Sequence, residues 1–286
     1  MGRAATMTEA EARQSADVLA EIACAAGTVL RRWHRADCPH VTKEDGSPSS
    51  AADLEAEALI LQALTARFPG IPIVAEESAR DLPAGDLFFL VDPLDGTRDF
   101  LAGTPDYSVN IALVAEGRPV AAALAAPGLE RVWLSGRDAY EAPIVQGRPG
   151  TARRVRARGA PEAGLLALGS RRHGDPDTAA CLAALPVMEV RTSGSALKFG
   201  LLASGEADIY VRCGPTMEWD TAAGDAILTA AGGCVIVSDG GPIRYGRLGD
   251  GYRNGPFAAL GDPALAADIV LARGFSCDRP LSAPRP

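Results

Sequence analysis

Residues 88–97 read FFLVDPLDGT, an apolar run that leads directly into two carboxylates three positions apart. The apolar residues 88–91 predict a buried β-strand, and Pro93 predicts that this strand ends at Asp92. A carboxylate at the edge of a buried strand is costly unless it has a partner. The stretch therefore raises the question of what Asp92 and Asp95 bind.

Two further acidic side chains lie where the predicted secondary structure changes. Glu76 closes the run IPIVAEE, and Asp220 lies at the start of a predicted helix. Each also has a simpler interpretation, Glu76 as a solvated turn residue and Asp220 as an acid that stabilises a helix N-terminus. A shared cation would compensate several carboxylates at once. Hard oxygen ligands without histidine or cysteine favour Mg²⁺ or Mn²⁺ over zinc.

A rival interpretation is a covalent phosphatase of the haloacid dehalogenase class, whose motif is D-x-D-G-T after an apolar strand. This chain has D-P-L-D-G-T, which is one residue longer. In a regular strand, residues i and i+2 share a face, whereas residues i and i+3 do not. The spacing therefore disfavours a mechanism through an aspartyl phosphate.

Composition excludes several classes of partner. The chain has 286 residues and a formal charge of −8, which argues against a nucleic-acid polymer because binding a polyphosphate needs a basic surface. A small phosphorylated ligand is not excluded. No window of 18 apolar residues predicts a transmembrane helix. The scattered cysteines predict reduced thiols in a cytoplasmic protein, with attachment at the periphery of the inner membrane as an alternative location.

The first 155 residues predict an α+β subdomain. A capping box at Thr8 begins a helix that runs to Trp33, and a second helix runs from Ala51 to Phe68. The apolar stripe of the first helix is predicted as Val18, Ile22, Ala25, Val29 and Trp33. The stripe of the second is predicted as Leu54, Ala58, Leu61, Leu64 and Phe68. Short β-runs with close turns follow and predict an antiparallel sheet on these helices.

Residues 156–286 predict an α/β subdomain. Strand and helix patterns alternate from GLLALGS at residues 164–170 to PALAADIVLAR at residues 263–273, which is predicted as a final helix. The two subdomains, residues 1–155 and 156–286, are expected to complete one site together.

Three motifs carry a resemblance to a known family. EES at residues 76–78 is followed by DPLDGTRDF at 92–100 and by WDTAAGDAIL at 219–228. In this order, and over nearly the whole chain, they resemble the inositol monophosphatase-like, lithium-sensitive phosphatase superfamily. The resemblance implies a layered α-β-α-β-α fold and two or three Mg²⁺ ions, with Mn²⁺ as a substitute.

The resemblance also implies site residues. The implied metal ligands are Glu76, Asp92, the carbonyl of Leu94, Asp95 and Asp220. Asp53 and Thr97 are implied to deprotonate the attacking water together, and Glu76 is implied as a further catalytic residue. Asp53 also has a simpler interpretation, as the third helical residue of a capping box begun by Ser50.

One segment indicates the substrate class. Residues 193–224, SGSALKFGLLASGEADIYVRCGPTMEWDTAAG, resemble the CysQ-type 3′(2′),5′-bisphosphate nucleotidases of this superfamily more than inositol monophosphatases. Lys198 and Arg212 suit a second phosphate, although they also fit an exposed helix residue and a surface ion pair. The implied substrate-binding residues are Gly96, Thr97, Ser170, His173, Ser193, Ser195, Lys198 and Arg212.

We therefore expect a Mg²⁺-dependent phosphatase that converts adenosine 3′,5′-bisphosphate to AMP, with its 5′-phosphosulfate analogue as a second substrate. A monoesterase for inositol 1-phosphate or histidinol phosphate is the first alternative on the same scaffold. A catalytically silent, ligand-binding member of the superfamily is the second. A monomer and a homodimer are both compatible with the sequence.

Overall fold

The structure is a computed structural model that describes residues 8–34, 37–43, 46–78, 85–171 and 174–271. The helices in these ranges are α1 (Glu9–Trp33), α2 (Ala51–Arg67), α3 (Thr97–Leu101), α4 (Pro176–Ala183), α5 (Leu197–Ala203) and α6 (Glu218–Ala230). Short 3₁₀ turns are Pro127–Leu129, Leu248–Asp250 and Pro263–Asp268. The N-terminal strands are β1 (His40–Thr42), β2 (Pro48–Ser50), β3 (Ile73–Ala75), β4 (Leu87–Asp95), β5 (Ser108–Ala115), β6 (Arg118–Ala126), β7 (Arg131–Ser135), β8 (Ala139–Val145), β9 (Arg148–Pro149) and β10 (Arg153–Arg154). The C-terminal strands are β11 (Leu165–Ser170), β12 (Val187–Ser193), β13 (Ile209–Arg212), β14 (Thr216–Met217), β15 (Cys234–Val237), β16 (Arg253–Asn254) and β17 (Phe257–Leu260).

Two sheets form the framework of the molecule. The larger sheet has the strand order β10-β8-β7-β6-β5-β4-β3, with β9 paired to β8. Its pairs are antiparallel except for β3 and β4, which run parallel. The smaller sheet has the order β12-β11-β13-β17-β15 and is mixed. Two small two-stranded sheets, the β1–β2 hairpin and the pair β14 with β16, lie outside these sheets.

The sheets and helices stack in five layers. Helices α1 and α2 share one apolar core with one face of the larger sheet. Helices α5 and α6 share a second core with the other face of that sheet and with the smaller sheet. Helix α4 closes the outer face of the smaller sheet in a third core. The layered α-β-α-β-α prediction is confirmed.

Small residues set the distance between these layers. In α1, Ala16, Ala20 and Ala23 are fully buried and belong to the core that contains Ala123 of β6. In the middle layer, a Cβ on Gly200 of α5 would lie 2.6 Å from the ring of Trp133, so only glycine permits this approach. The predicted stripe of α1 is confirmed at Ile22, which is buried, but Val18, Ala25 and Val29 are only half-buried because the buried face is rotated toward these alanines.

The predicted apolar stripe of α2 is wrong in its N-terminal part, whereas the helix itself and the burial of Leu64 are confirmed. Leu54 is 56% exposed, and Ala58 is exposed as well. The buried face instead carries Asp53 and Glu57 together with Ile60 and other apolar residues. Two carboxylates of helix α2 therefore face the interior. Apolar periodicity does not predict this orientation, because it counts only apolar residues as buried.

Strand β4 departs from its prediction at Pro93. The strand does not end at Asp92 but continues to Asp95, with a shift of register between them. A bulge accommodates proline because that position needs no ladder N–H. Asp92 lies opposite Asn110 and Asp95 lies opposite Ser108. Since residues 108 and 110 share a face of β5, the bulge brings both carboxylates to one face, and the spacing argument against a shared face is wrong.

The C-terminal half is confirmed in most of its elements, with two differences. Residues 263–268 form a 3₁₀ turn rather than the first part of a long helix, and residues 272–273 lie outside the described ranges. Strand β17, which the sequence did not predict, lies between β13 and β15 and runs antiparallel to both, which makes the smaller sheet mixed. No helix within the described residues is long and apolar enough to cross a membrane. The division of the chain near residue 155 stays a prediction.

Candidate active site

A cleft of about 460 Å³ opens where the end of β4 meets the N-termini of α5 and α6. Its volume lies within the usual range for small-molecule sites. One wall is acidic and carries Glu76, Asp92, Asp95 and Asp220. Another part of the lining, the cationic wall, carries Lys198 and Arg212, whose charges oppose the rise that burial causes in the pKa of Asp95.

The bulge of β4 and two neighbouring elements position the acidic wall. The Asp92 carboxylate accepts a hydrogen bond from the Leu94 N–H at 3.0 Å. The Asp95 carboxylate accepts one from the Ala196 N–H at 2.5 Å, which ties β4 to the start of α5. Asp220 accepts one from the Met217 N–H at 2.8 Å and so does cap α6, as its simpler interpretation proposed.

Burial and mutual repulsion oppose the charge of these carboxylates. The pKa of Asp92 is raised well above its usual value, mainly by burial and then by the nearby charges of Glu76 and Asp95. The pKa of Asp220 is raised for the same two reasons. Among the described residues, no lysine or arginine forms an ion pair with Asp92 or Asp220. Within this wall, Asp92 and Asp220 are therefore carboxylates with a raised pKa and without an ion-pair partner among the described residues.

Glu76 lies at the edge of this wall and is held from two directions. Lys43, next to the β1–β2 hairpin, donates to Glu76 at 2.9 Å and to Glu77 at 2.6 Å. The buried Glu57 of α2 accepts the Glu77 N–H at 2.8 Å and the Ser78 hydroxyl. The sequence motifs did not predict Lys43 or Glu57 as site residues, because neither residue belongs to those motifs.

Asp53 and Thr97 are brought together as the resemblance implied. The Thr97 hydroxyl lies 3.2 Å from Asp53 Oδ1 and 3.0 Å from the carbonyl oxygen of Leu94. Asp53 is fully buried and also completes the capping box with Ser50, so both of its interpretations hold geometrically. Burial is the main cause that raises the pKa of Asp53 to about 6.

The chemistry of the acidic wall fits divalent metal ions. Its donors are carboxylates and a backbone carbonyl, the hard oxygen ligands that Mg²⁺ and Mn²⁺ prefer. In the described part of the chain, however, no three acidic, histidine or cysteine side chains are arranged around one point. Glu76 is engaged by Lys43, whereas Asp92, Asp95 and Asp220 each accept a backbone N–H and keep further lone pairs for a cation.

The cationic wall consists of two buried side chains. Lys198 of α5 is 3% exposed and donates to the carbonyls of Ser193 at 3.2 Å and Ser195 at 2.6 Å. Arg212, at the end of β13, is 8% exposed and donates to the carbonyls of Gly214 and Pro215. The alternatives of an exposed helix residue and a surface ion pair are therefore wrong.

Lys198 and Arg212 can still donate hydrogen bonds to a ligand. Lys198 and Arg212 line the cleft, and neither has an acidic partner within ion-pair distance among the described residues. Burial lowers the pKa of Lys198 to about 8, and the charge of Asp95 opposes this shift. An anion between them would supply the missing negative charge.

The remaining predicted residues divide into three groups. Gly96, Ser170 and Ser195 line the cleft, and Gly96 has φ of 89°, where a Cβ would approach the Asp106 carbonyl to 3.0 Å. Ser193 is buried beside the cleft but is not among its lining residues. His173 lies outside the described residues.

Comparison with known proteins agrees with this geometry. The inositol monophosphatase family matches residues 11–267 of the chain. The 3′(2′),5′-bisphosphate nucleotidase CysQ of Salmonella typhimurium is 37% identical over 212 residues, which are 72% of this chain and 82% of that protein. The protein of that name from Escherichia coli K12 is 34% identical over 237 residues, covering 80% and 93% of the two chains. The crystal structure of CysQ from Bacteroides thetaiotaomicron has a TM-score of 0.73 at 30% identity, covering 86% of this chain and 97% of that one.

The fold and the two-sided cleft thus define the class of protein, a layered phosphatase with an acidic, oxygen-donor site. The chain belongs to the inositol monophosphatase family. Members of this family depend on metal ions, typically Mg²⁺.

Proposed function

We propose that the protein is a 3′(2′),5′-bisphosphate nucleotidase that removes the 3′-phosphate of adenosine 3′,5′-bisphosphate. The observation that carries this proposal is the pair of buried cations opposite the acidic wall. A monophosphate ester needs one anion site, beside the metal ions. Lys198 and Arg212 offer a second anion site in the same cleft, and the relatives from Salmonella and Escherichia are named for substrates with two phosphates.

The acidic wall is the proposed cation site. Glu76, Asp92, the Leu94 carbonyl, Asp95 and Asp220 would hold two or three Mg²⁺ ions, with Mn²⁺ as a substitute. When bound, these ions lower the pKa of the attacking water and stabilise charge on the phosphoryl oxygens. They also supply the positive charge that the acidic wall lacks among the described residues.

Asp53 and Thr97 are the proposed proton acceptors. A Thr97 hydroxyl that donates to Asp53 leaves its oxygen lone pairs available to accept from water. Because the pKa of Asp53 is raised to about 6, this carboxylate is ionised at neutral pH yet basic enough to take up a proton. Glu76 would contribute at the edge of the wall after it leaves Lys43.

Substrate orientation would follow from the cationic wall. The backbone N–H groups of Gly96 and Thr97 are proposed to hold oxygens of the scissile phosphate, and Lys198 and Arg212 to hold the 5′-phosphate. Ser170, Ser193, Ser195 and His173 stay predicted contacts for the nucleotide. A cytoplasmic location and a monomeric or homodimeric state belong to the same proposal.

Phosphate release from three substrates tests the assignment. Adenosine 3′,5′-bisphosphate, inositol 1-phosphate and histidinol phosphate are compared by kcat/KM, with and without Mg²⁺ and Li⁺. We expect the bisphosphate to be the best substrate, Mg²⁺ to be required and Li⁺ to inhibit. Faster hydrolysis of either monophosphate would overturn the substrate assignment.

Arg212→Glu tests the second anion site directly. We expect kcat/KM for the bisphosphate to fall about 10²-fold or more, since a buried charge contact is lost and reversed. The value for inositol 1-phosphate should fall much less. Arg253→Glu makes the same charge change at the exposed rim of the cleft and serves as the matched control. Equal losses for both substrates would contradict a 5′-phosphate contact.

A further inference from the structure

Two polar side chains of β5 are buried without a hydrogen-bond partner among the described residues. Asn110 is 1% exposed, and both its amide oxygen and its amide nitrogen are unpaired. Ser108 is fully buried, and its hydroxyl is unpaired as well. Such groups are rare in folded proteins, and an ordered water molecule is a common explanation.

The register of the sheet places these side chains at the acidic wall. Asn110 lies directly opposite Asp92, and Ser108 lies opposite Asp95 across the bulge. Residues that face each other in an antiparallel pair project to the same side, with Cβ atoms about 5 Å apart. Each unpaired polar group therefore adjoins one of the two carboxylates that the bulge brings together.

The surroundings of Asn110 offer no other reason for an amide. On the same face of the sheet, its neighbours Leu90, Ala112 and Leu124 belong to the core shared with α5 and α6. A leucine at position 110 would continue that apolar core without leaving an unsatisfied group. The amide is thus an exception within an apolar face, and the exception coincides with Asp92.

We propose that Asn110 and Ser108 are positioning residues that hold buried water molecules against the Asp92 and Asp95 carboxylates. The water donates hydrogen bonds to the carboxylates and accepts from the amide and the hydroxyl. Neutral donors orient an ionised carboxylate without adding a positive charge that would compete with a cation. The inference rests on the proposed function, because orientation matters here only if cations bind.

The chain contains a matched control for this inference. Ser135, at the end of β7, is also fully buried with an unpaired hydroxyl. Its neighbours in the sheet are Ala122 and Ala139 rather than acidic residues. Ser108→Ala and Ser135→Ala therefore remove the same group at the same burial, once beside the carboxylates and once away from them.

The test measures Mg²⁺ and Mn²⁺ affinity by isothermal titration calorimetry, without substrate, for the full chain and three variants. We expect Asn110→Leu to weaken binding about 10-fold or more and Ser108→Ala to weaken it several-fold, as for other residues that orient ligands. Ser135→Ala should stay within about twofold of the unsubstituted protein. Thermal unfolding in EDTA should show no loss of stability for Ser108→Ala beyond that for Ser135→Ala.

The outcomes separate this inference from the proposed function. Unchanged affinity in both Asn110→Leu and Ser108→Ala would overturn the inference while leaving the cation site intact. Failure of the unsubstituted protein to bind either ion would overturn the proposed function and the inference with it. If Asn110→Leu does not fold, the comparison of the two serine variants decides.

Discussion

Asp92 and Asp225 are two buried aspartates with opposite surroundings. Asp225, on α6, accepts from Arg118 at 3.1 Å, from the Tyr245 hydroxyl at 3.1 Å and from the Thr229 hydroxyl at 3.0 Å. Asp92, at the bulge of β4, accepts from the Leu94 N–H and forms no ion pair with a lysine or arginine of the described residues. Both are at most 1% exposed.

The difference separates a carboxylate whose charge the chain balances from one whose charge its described neighbours oppose. The charge of Asp225 is balanced by the chain itself, so its network is complete when the protein folds. Burial raises the pKa of both carboxylates, but the partners of Asp225 lower its pKa whereas the acidic neighbours of Asp92 raise it further. A cation bound from solution, as proposed above, would balance the charge of Asp92. Burial of a carboxylate alone does not indicate a cation site, whereas burial without a positively charged partner supports one.

The largest effect that tests this contrast is expected from Asp92→Asn. The substitution removes a proposed metal ligand, and loss of several kcal/mol of transition-state stabilisation lowers kcat/KM about 10³-fold. Metal-free stability should be unchanged or higher, because repulsion within the acidic wall falls. Phosphate release, ion titration and unfolding in EDTA check these outcomes. Normal turnover by Asp92→Asn would refute the site.

Asp225→Asn makes the same substitution at the same burial and should give the reverse profile. The substitution leaves Arg118 without its anionic partner, and we expect the free energy of unfolding to fall by about 2–3 kcal/mol. This loss is smaller than for most broken buried ion pairs because Arg118 is 29% exposed. Mg²⁺ affinity should be retained. Denaturant unfolding and calorimetric titration measure the two quantities. Weakened ion binding at full stability would contradict the division between the two regions.

The smallest effect expected concerns pH. Burial raises the pKa of Asp53 to about 6 and raises that of Glu76 as well, so between about pH 4 and 7 the folded state binds more protons than the unfolded chain. Stability of the metal-free protein therefore falls as pH rises through this window. In EDTA we expect a melting temperature about 3 °C or more higher at pH 5.5 than at pH 7.5. Saturating Mg²⁺ should remove or reverse this difference, and a metal-free protein more stable at pH 7.5 would argue against uncompensated repulsion.

Local sequence patterns predicted the elements better than the faces that they bury. The limits of α1 and α2 follow from capping and periodicity, but Leu54 is exposed where Asp53 and Glu57 are buried. Apolar periodicity assumes that charged residues face solvent, and α2 breaks this rule because its inner face borders the site. Strand β17 was missed because its partners β13 and β15 are remote or separated by a long irregular segment.

The sequence predicted the site residues that belong to short motifs. It did not predict the residues that reach the site only through tertiary contacts. Asp92, Asp95 and Asp220 follow from two short motifs. Lys43 pairs with Glu76 across 33 positions of sequence, and the unpaired state of Asn110 depends on the register of β4 with β5. Such pairings are consequences of the tertiary fold, and no local spacing encodes them.

The bulge of β4 makes the length of the acidic motif more important than its composition. Leu94 faces an apolar core with its side chain and would serve the site through its carbonyl, so other apolar residues are compatible with that position. Removing one residue between Asp92 and Asp95 would restore a regular ladder in which both carboxylates still share a face. It would also remove the bulge in which the Leu94 carbonyl accepts the Thr97 hydroxyl. Among related chains we therefore expect the residue types at positions 93 and 94 to vary more readily than the number of residues between the two aspartates.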